Sequence, residues 1–177
     1  MTDIFSLKVE EIVSRIKDAQ LTSVEICEKY IERINEFEKD VKAWVHFDKK
    51  LLLEKAQEAD EHRRAGKPTG SLHGIPIALK DIIGTIDMPT ECGTPIRKGK
   101  SYSQNAEIID LLLSAGAIVM GKTATSELAY LGPSKTSNPH DYSRTPGGSS
   151  SGSAASVASF MAPVSYTHLT LPTKRIV

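Results

Sequence analysis

The sequence predicts an α/β domain in which N-terminal helices precede a mixed, largely parallel sheet flanked by helices. Three observations support this prediction. Apolar residues recur at helical spacing through much of residues 1–67. Two short apolar runs, residues 77–79 and 117–120, are typical of buried strands. Residues 106–115, between these runs, have a helical pattern, and a strand, a crossover helix and a second strand form the usual unit of a parallel sheet.

Three helices are predicted in the first third of the chain. The first lies around residues 12–16, with Ser6 as a candidate N-cap. The second begins with a capping box, in which the Thr22 hydroxyl accepts from the Glu25 amide and the Glu25 side chain reaches back. The third runs over residues 48–66, from an aspartate cap to a glycine stop.

Composition excludes several classes of function. The chain has 177 residues, 40% of them hydrophobic, and its 22 basic side chains balance 22 acidic ones. This balance argues against a surface dedicated to nucleic acid or to anionic membranes. No apolar run is long enough to cross a bilayer, and residues 1–4 do not begin a signal peptide. The two cysteines, Cys27 and Cys92, form no metal or disulfide pattern, so we expect a cytoplasmic protein without a metal site.

Residues 116–123 match the phosphate-binding P-loop pattern letter by letter. A P-loop follows a strand and exposes the residues between its glycines, whereas here a helix precedes the motif and the intervening residues are apolar. We therefore predict a strand with Lys122 near its C-terminal end.

Residues 84–103 and 132–152 are rich in glycine, proline and serine. The first segment is long for a connection and must be functional or ordered by contacts elsewhere, and a linker is the simplest interpretation of the second.

Two features could carry chemistry. Lys80 ends an apolar run, and a lysine in a low-dielectric site can act as a neutral base. Taken alone, a lysine with its stem on apolar surface and its ammonium in water is the simpler interpretation. Residues 145–155 contain glycines, then serines, then small helix formers, which indicates a tight loop that leads into a helix N-terminus and offers free N–H groups and hydroxyls.

Together these motifs resemble the amidase-signature family. Residues 74–81 resemble its lysine motif, and residues 121–129 resemble the segment that follows. Residues 145–155 resemble its Gly-Gly-Ser-Ser-Gly-Gly-Ser core, with Ser151 in place of one glycine. The resemblance covers residues 7–163, with the family's order and separations of motifs.

The resemblance implies a role for each residue of the two motifs. Lys80 corresponds to the general base, and Ser149 to a relay serine whose peptide bond is cis in the family. Ser149 and Ser150 would also bind substrate, and Gly147 and Gly148 would support the loop. The implied reaction converts a carboxamide into a carboxylate and ammonia or an amine through a Ser–cis-Ser–Lys triad, without a metal or another cofactor.

The resemblance also implies a truncated domain. Residues 1–163 correspond to the N-terminal part of one amidase-signature domain, helical over residues 1–67 and α/β over residues 68–163. Residues 164–177 show no resemblance, and we predict that they are a non-native tail. The family takes its nucleophile from a later Gly-Gly-Ser segment, which this tail does not contain. We therefore expect the chain alone to be inactive.

Two enzymatic interpretations stay open. One is an amide hydrolase with a small-molecule amide substrate. A homodimer is compatible with this interpretation. The other is the glutaminase component of a glutamyl-tRNA(Gln) or aspartyl-tRNA(Asn) amidotransferase, which releases ammonia from glutamine and needs partner subunits. The compact span 127–144 and Ser151 favour the hydrolase. Neither interpretation involves a membrane or direct contact with nucleic acid. A binding module with a Gly/Ser linker is the non-enzymatic alternative.

Overall fold

The computed structural model describes residues 3–130 and 132–167, which form five α-helices and four strands. In chain order these are α1 (Val9–Lys17), α2 (Ser23–Val41), β1 (Trp44–Phe47), α3 (Lys49–Arg64), β2 (Pro76–Lys80), α4 (Glu107–Ser114), β3 (Ile118–Thr123), α5 (Ser151–Ala158) and β4 (Ser165–Tyr166). Short 3-10 turns lie at Ile4–Ser6, Pro95–Arg97 and Glu127–Ala129.

The four strands form one mixed sheet in the order β1-β3-β2-β4. Strand β2 runs parallel to both β3 and β4, and β1 runs antiparallel to β3. This arrangement confirms the predicted fold class. In the central pair, Leu79 lies opposite Lys122 and Lys80 lies opposite Thr123. Lys80 and Lys122 therefore lie at the same end of the sheet, in adjacent residue pairs.

The prediction that residues 1–67 are helical needs one correction, because strand β1 lies between α2 and α3 inside that range. Four residues are too short to show a period between two long helices, although Trp44, Val45 and Phe47 are good strand formers. Pairing with β3, far away in sequence, decides the conformation. Ser6 is also not the cap of α1, since it ends a 3-10 turn and Lys8 occupies the N-cap position.

The other predicted helix signals are confirmed. Thr22 and Glu25 form the reciprocal capping box of α2, and the Asp48 carboxylate accepts from two amides in the first turn of α3. A further cap comes from tertiary contact. The buried Asp60 carboxylate of α3 accepts from the amides of Ser23 and Val24, the first residues of α2.

Most of the segment 116–123 forms strand β3 (Ile118–Thr123) and not a phosphate loop, as predicted. Gly116 ends α4 with φ +88°, and a Cβ there would lie 2.8 Å from His73 Cα. Strand β3 begins at Ile118, one residue after the start of the predicted run, and extends to Thr123, three residues beyond its end.

Strand β4 falls inside the predicted non-native tail, residues 164–177. The Ala78 amide donates to the Val164 carbonyl at 3.1 Å, and the Ser165 hydroxyl donates to the Ala78 carbonyl at 3.2 Å. The start of the tail therefore completes one edge of the sheet, while residues 168–177 lie outside the described part of the chain.

None of the helices within residues 3–130 and 132–167 combines the length and the apolar character that a membrane span needs.

Candidate active site

Lys80 and Ser149 meet at the C-terminal end of β2. Lys80 is the last residue of that strand and has no exposed surface. Its Nζ donates to Ser149 Oγ at 2.6 Å. Burial lowers the pKa of Lys80 below its usual value, because a charged ammonium loses hydration in the interior. A lysine in this position can exchange a proton directly with a serine hydroxyl.

The backbone of Ser149 is tied to the end of β3. The peptide bond between Gly148 and Ser149 is cis. The Ser149 carbonyl accepts from the Ser126 amide at 2.9 Å and from the Thr125 hydroxyl at 3.0 Å. Gly147 has φ +89°, and a Cβ on Gly148 would lie 2.8 Å from Ser126 Oγ. Glycine suits position 147 because of its positive φ, and position 148 because the Ser126 side chain leaves little room for a Cβ.

Helix α5 begins at Ser151, two residues after Ser149, with the half-buried Ser150 as its N-cap residue. The Ser150 hydroxyl makes no capping bond to the helix backbone. Ser151 is buried, and its hydroxyl shares a hydrogen bond of 2.5 Å with the Ser134 hydroxyl. Farther along, Ser153 shares a hydrogen bond of 2.8 Å with the Thr123 hydroxyl on β3. The helix that carries the serines is thus anchored to the strand beside Lys80.

A second buried lysine lies on the other side of the same sheet end. Lys122 Nζ donates to the Ile83 carbonyl at 2.6 Å and to the Thr90 hydroxyl at 2.7 Å. It lies 3.8 Å from a carboxylate oxygen of Asp81, and neither side chain is exposed. Burial lowers the pKa of Lys122 to about 8, although the Asp81 charge opposes that shift. Burial raises the pKa of Asp81, and the Lys122 ammonium opposes that rise.

The long segment 84–103 is ordered by contacts with its surroundings. The Thr94 hydroxyl donates to Glu127 Oε1 at 2.6 Å. The Leu128 amide donates to the carbonyl of Cys92, a half-buried residue with φ +55°. The amide of Glu91 donates to the Asp81 carboxylate. These bonds attach the segment to residues just after β2 and β3.

The structure therefore brings together the two residues singled out for proton transfer and places Ser150 next to them. It also adds three groups that the sequence did not single out, namely Asp81, Ile83 and Thr90. Asp81 had one sequence signal, because it is a second charge at the end of an apolar run. Thr90 had no such signal, since only the folded loop brings it to Lys122. Among the described residues, no group of three or more His, Cys, Asp and Glu side chains is placed to hold a metal ion.

A separate cavity of about 450 Å³ opens between α3 and α4. His62, His73, Met88 and Val119 are among its lining residues, and neither Lys80 nor Ser149 contributes to it. It lies toward the N-terminal end of β3, whereas the lysine–serine contact lies at the C-terminal end of β2.

Comparison with known proteins gives consistent results. The model of the family described as Amidase matches residues 25–167. The A subunit of the glutamyl-tRNA(Gln) amidotransferase from Chloroflexus aggregans is 40% identical over 92% of this chain and 35% of its own length. The corresponding protein of Streptomyces coelicolor is 37% identical over 93% of this chain and 34% of its own length.

Solved structures of similar fold include a peptide amidase from Stenotrophomonas maltophilia. It is 34% identical with a TM-score of 0.84, over 90% of this chain and 35% of that chain. A fatty acid amide hydrolase is 25% identical with a TM-score of 0.85, over 92% of this chain and 30% of that chain. The chain thus spans about a third of the length of these relatives.

Proposed function

The chain belongs to the Amidase family, and on that premise we propose that it supplies the base and the proton relay of an amide-hydrolysing site. Lys80 is the base and Ser149 is the relay. Ser150 lies where it can contact substrate, and Gly147 and Gly148 shape the loop. The nucleophilic serine comes from a part of the protein outside the described residues. The reaction converts a small carboxamide into a carboxylate and ammonia or an amine in the cytoplasm.

One observation carries this proposal, namely the 2.6 Å contact between Lys80 Nζ and Ser149 Oγ in a site where the lysine is fully buried. Direct proton transfer requires hydrogen-bond reach, a heavy-atom distance of about 2.6–3.2 Å. A base must also be unprotonated near neutral pH, and burial lowers the pKa of Lys80 in that direction. A surface lysine with its ammonium in water would meet neither condition.

The proposed chemistry is acyl transfer. The neutral amine of Lys80 accepts the Ser149 proton while Ser149 Oγ accepts the proton of the nucleophilic serine. The oxygen of that serine bonds to the amide carbonyl carbon, and backbone N–H groups stabilise the oxyanion. The C–N bond then breaks as the Lys80 ammonium returns its proton through Ser149 to the leaving nitrogen. Water hydrolyses the resulting ester by the same relay and regenerates the serine.

The test uses the full-length protein that contains this chain and measures ammonia release from a small primary amide. Lys80→Met should lower kcat by at least about 10²–10⁴-fold, which is the usual contribution of a general base. Ser149→Ala should also lower kcat, with a smaller loss if water replaces the relay. Glu61→Gln, on the exposed face of α3, is the matched control. A Lys80→Met protein as active as wild type would overturn the proposal.

A second candidate is the glutaminase component of an amidotransferase. The curated relatives described above belong to such enzymes by name, at 37–40% identity. In this case the same base and relay would release ammonia from glutamine, and partner subunits would take up that ammonia. The hydrolase is favoured by the compact span 127–144 and by Ser151 in place of glycine.

Partner dependence distinguishes the two functions. Ammonia release from several simple amides by the purified protein alone favours the hydrolase. Activity that is confined to glutamine and rises strongly when amidotransferase partners are added favours the amidotransferase component.

A further inference from the structure

We propose that Lys122 is a positioning residue for Lys80: it fastens the turn that follows Lys80 and thereby keeps the Lys80 amine enclosed and within reach of Ser149. This inference rests on the proposed function only for its catalytic consequence. The physical link between the two lysines can be tested without turnover.

The side chains of Lys80 and Lys122 lie on opposite faces of the sheet, at the same end. Leu79 pairs with Lys122 and Lys80 pairs with Thr123, and side chains alternate between faces along a strand. Lys80 and Thr123 therefore share the face on which α5 packs, as their bonds to Ser149 and Ser153 indicate. Lys122 points to the other face and bonds to residues that follow β2.

Those bonds act on the backbone that leaves Lys80. The amides of Ile82 and Ile83 both donate to the Lys80 carbonyl, at 2.7 and 3.1 Å. The Ile83 carbonyl in turn accepts from Lys122 Nζ at 2.6 Å. Two successive hydrogen bonds through Ile83 therefore connect Lys122 to the Lys80 main chain.

Thr90 bonds to both Lys122 and Ile83. Its hydroxyl accepts from Lys122 Nζ at 2.7 Å and donates to the Ile83 carbonyl at 3.3 Å. The segment 84–103 is therefore attached to the same ammonium as the turn after Lys80. Both Lys122 and Thr90 are completely buried, so water cannot take over these bonds without opening the loop.

Removing the Lys122 ammonium would disturb the buried charges around it. The groups that act on Lys122 are Asp81 and Cys92, and Asp81 is also influenced by His46, which pairs with Glu91 at 3.6 Å. Without Lys122, the Asp81 carboxylate lies buried without its lysine, which is unfavourable unless the turn opens to water. Burial is what lowers the pKa of Lys80, so an opened turn would return that pKa toward its ordinary value.

The decisive experiment is a titration of the 177-residue chain labelled with 13C at lysine Cε and followed by NMR. The Lys80 resonance is assigned by its loss in Lys80→Arg. In Lys122→Met and in Thr90→Val the pKa of Lys80 should rise toward its ordinary value, and by more in the lysine variant, since loss of burial removes the cause of its depression. Asp60→Asn is the matched control, because it weakens a buried contact at α2 instead.

A further variant separates positioning from simple charge compensation. Asp81→Asn combined with Lys122→Met removes both charges, so the stability lost in the single lysine variant should be largely recovered. The Lys80 pKa should stay raised, because Ile83 and Thr90 still lack the ammonium. A return of that pKa to its wild-type value in the double variant would overturn the inference.

The remaining outcomes are also decisive. If Lys122→Met does not fold, Thr90→Val alone decides, and an unchanged Lys80 pKa in that protein rejects positioning. In the full-length enzyme, the acid limb of the kcat–pH profile of each single variant should move to higher pH by the amount that the Lys80 pKa rises in that variant, with KM nearly unchanged. Full activity of Lys80→Met there would reject the proposed function, while leaving the NMR result intact.

Discussion

Three charged side chains, Lys80, Asp81 and Lys122, are buried without exposed surface at one end of the sheet. Burial of a charge is unfavourable unless partners compensate for the lost hydration. Lys122 and Asp81 compensate each other in part, whereas Lys80 has the Ser149 hydroxyl as its partner. The residue with the least compensation is the one that we propose as the base.

The pH dependence of stability should report the burial of Lys122. Folding lowers the pKa of Lys122 from 10.5 to about 8. Between these values the unfolded chain binds a proton that the folded chain lacks, so this residue's contribution to stability increases as pH rises through the window. Below about pH 8 both states are protonated, and the unfavourable contribution is constant.

Urea unfolding at pH 7, 8, 9 and 10 measures this effect. The free energy of unfolding is measured for wild type and for Lys122→Met. The wild-type value minus the variant value should increase as pH rises above 8. Cys27 and Tyr30, whose pKa values burial raises to about 12, are not among the groups that act on Lys122, so their contributions should cancel in the difference. The rise of the Lys80 pKa expected in Lys122→Met changes the difference in the same direction. A constant difference across this range would contradict the prediction.

At the scale of single elements, α5 shows how closely the serine-bearing helix lies on the sheet. A Cβ on Gly152 would lie 2.3 Å from both the Ala124 amide nitrogen and the Ala43 carbonyl oxygen. These are backbone atoms, which cannot move aside like the end of a side chain. Gly152 is therefore required by the approach of the helix to β1 and β3, and not by its own conformation.

Gly152→Ala should destabilise the protein by about 1–3 kcal/mol through overpacking, although alanine is the better helix former by about 1 kcal/mol. Thermal unfolding measures the change. Val157→Ala, at an exposed position of the same helix, is the control and should have the smaller effect of a surface substitution, about 0.5 kcal/mol. Equal or greater stability of the Gly152 variant would contradict the close contact.

The cap that α3 gives to α2 leads to a similar prediction. Asp60→Asn should destabilise by about 1–3 kcal/mol, because a buried carboxylate that accepts from two amides is replaced by a neutral amide with one acceptor. Glu61→Gln is the neighbouring exposed control and should have little effect. Chemical unfolding of the three proteins compares them, and indistinguishable midpoints would show that the Asp60 contacts contribute nothing.

These elements also show what the sequence could and could not predict. Thr22 with Glu25, and Asp48, form caps within one helical turn, so local pattern was sufficient. Lys80 and Ser149 were predicted because each lies in a motif with its own local signature. Asp60 and Thr90 act on residues that are distant in the chain, and β1 is defined by its partner strand. No local pattern contains that information.

At the scale of the whole molecule, the sheet extends into the segment predicted to be non-native. Strand β4 pairs with β2, the strand that carries Lys80, and the family match also extends to residue 167. Val164 and Tyr166 are partly buried against the core. Whatever the origin of the last residues, residues 164–166 contribute to the edge of the sheet next to the site.

Two shortened chains test this contribution. A chain that ends at residue 163 loses β4 and leaves the Ala78 amide without the Val164 carbonyl, so it should be about 1–3 kcal/mol less stable than the 177-residue chain. A chain that ends at residue 167 keeps every contact described for β4 and should unfold like the longer one. Urea unfolding of all three chains gives the comparison, with the 167-residue chain as the control for shortening itself. If the 163-residue chain is as stable as the others, β4 adds nothing to the sheet, and the boundary predicted at residue 163 is the correct limit of the folded unit.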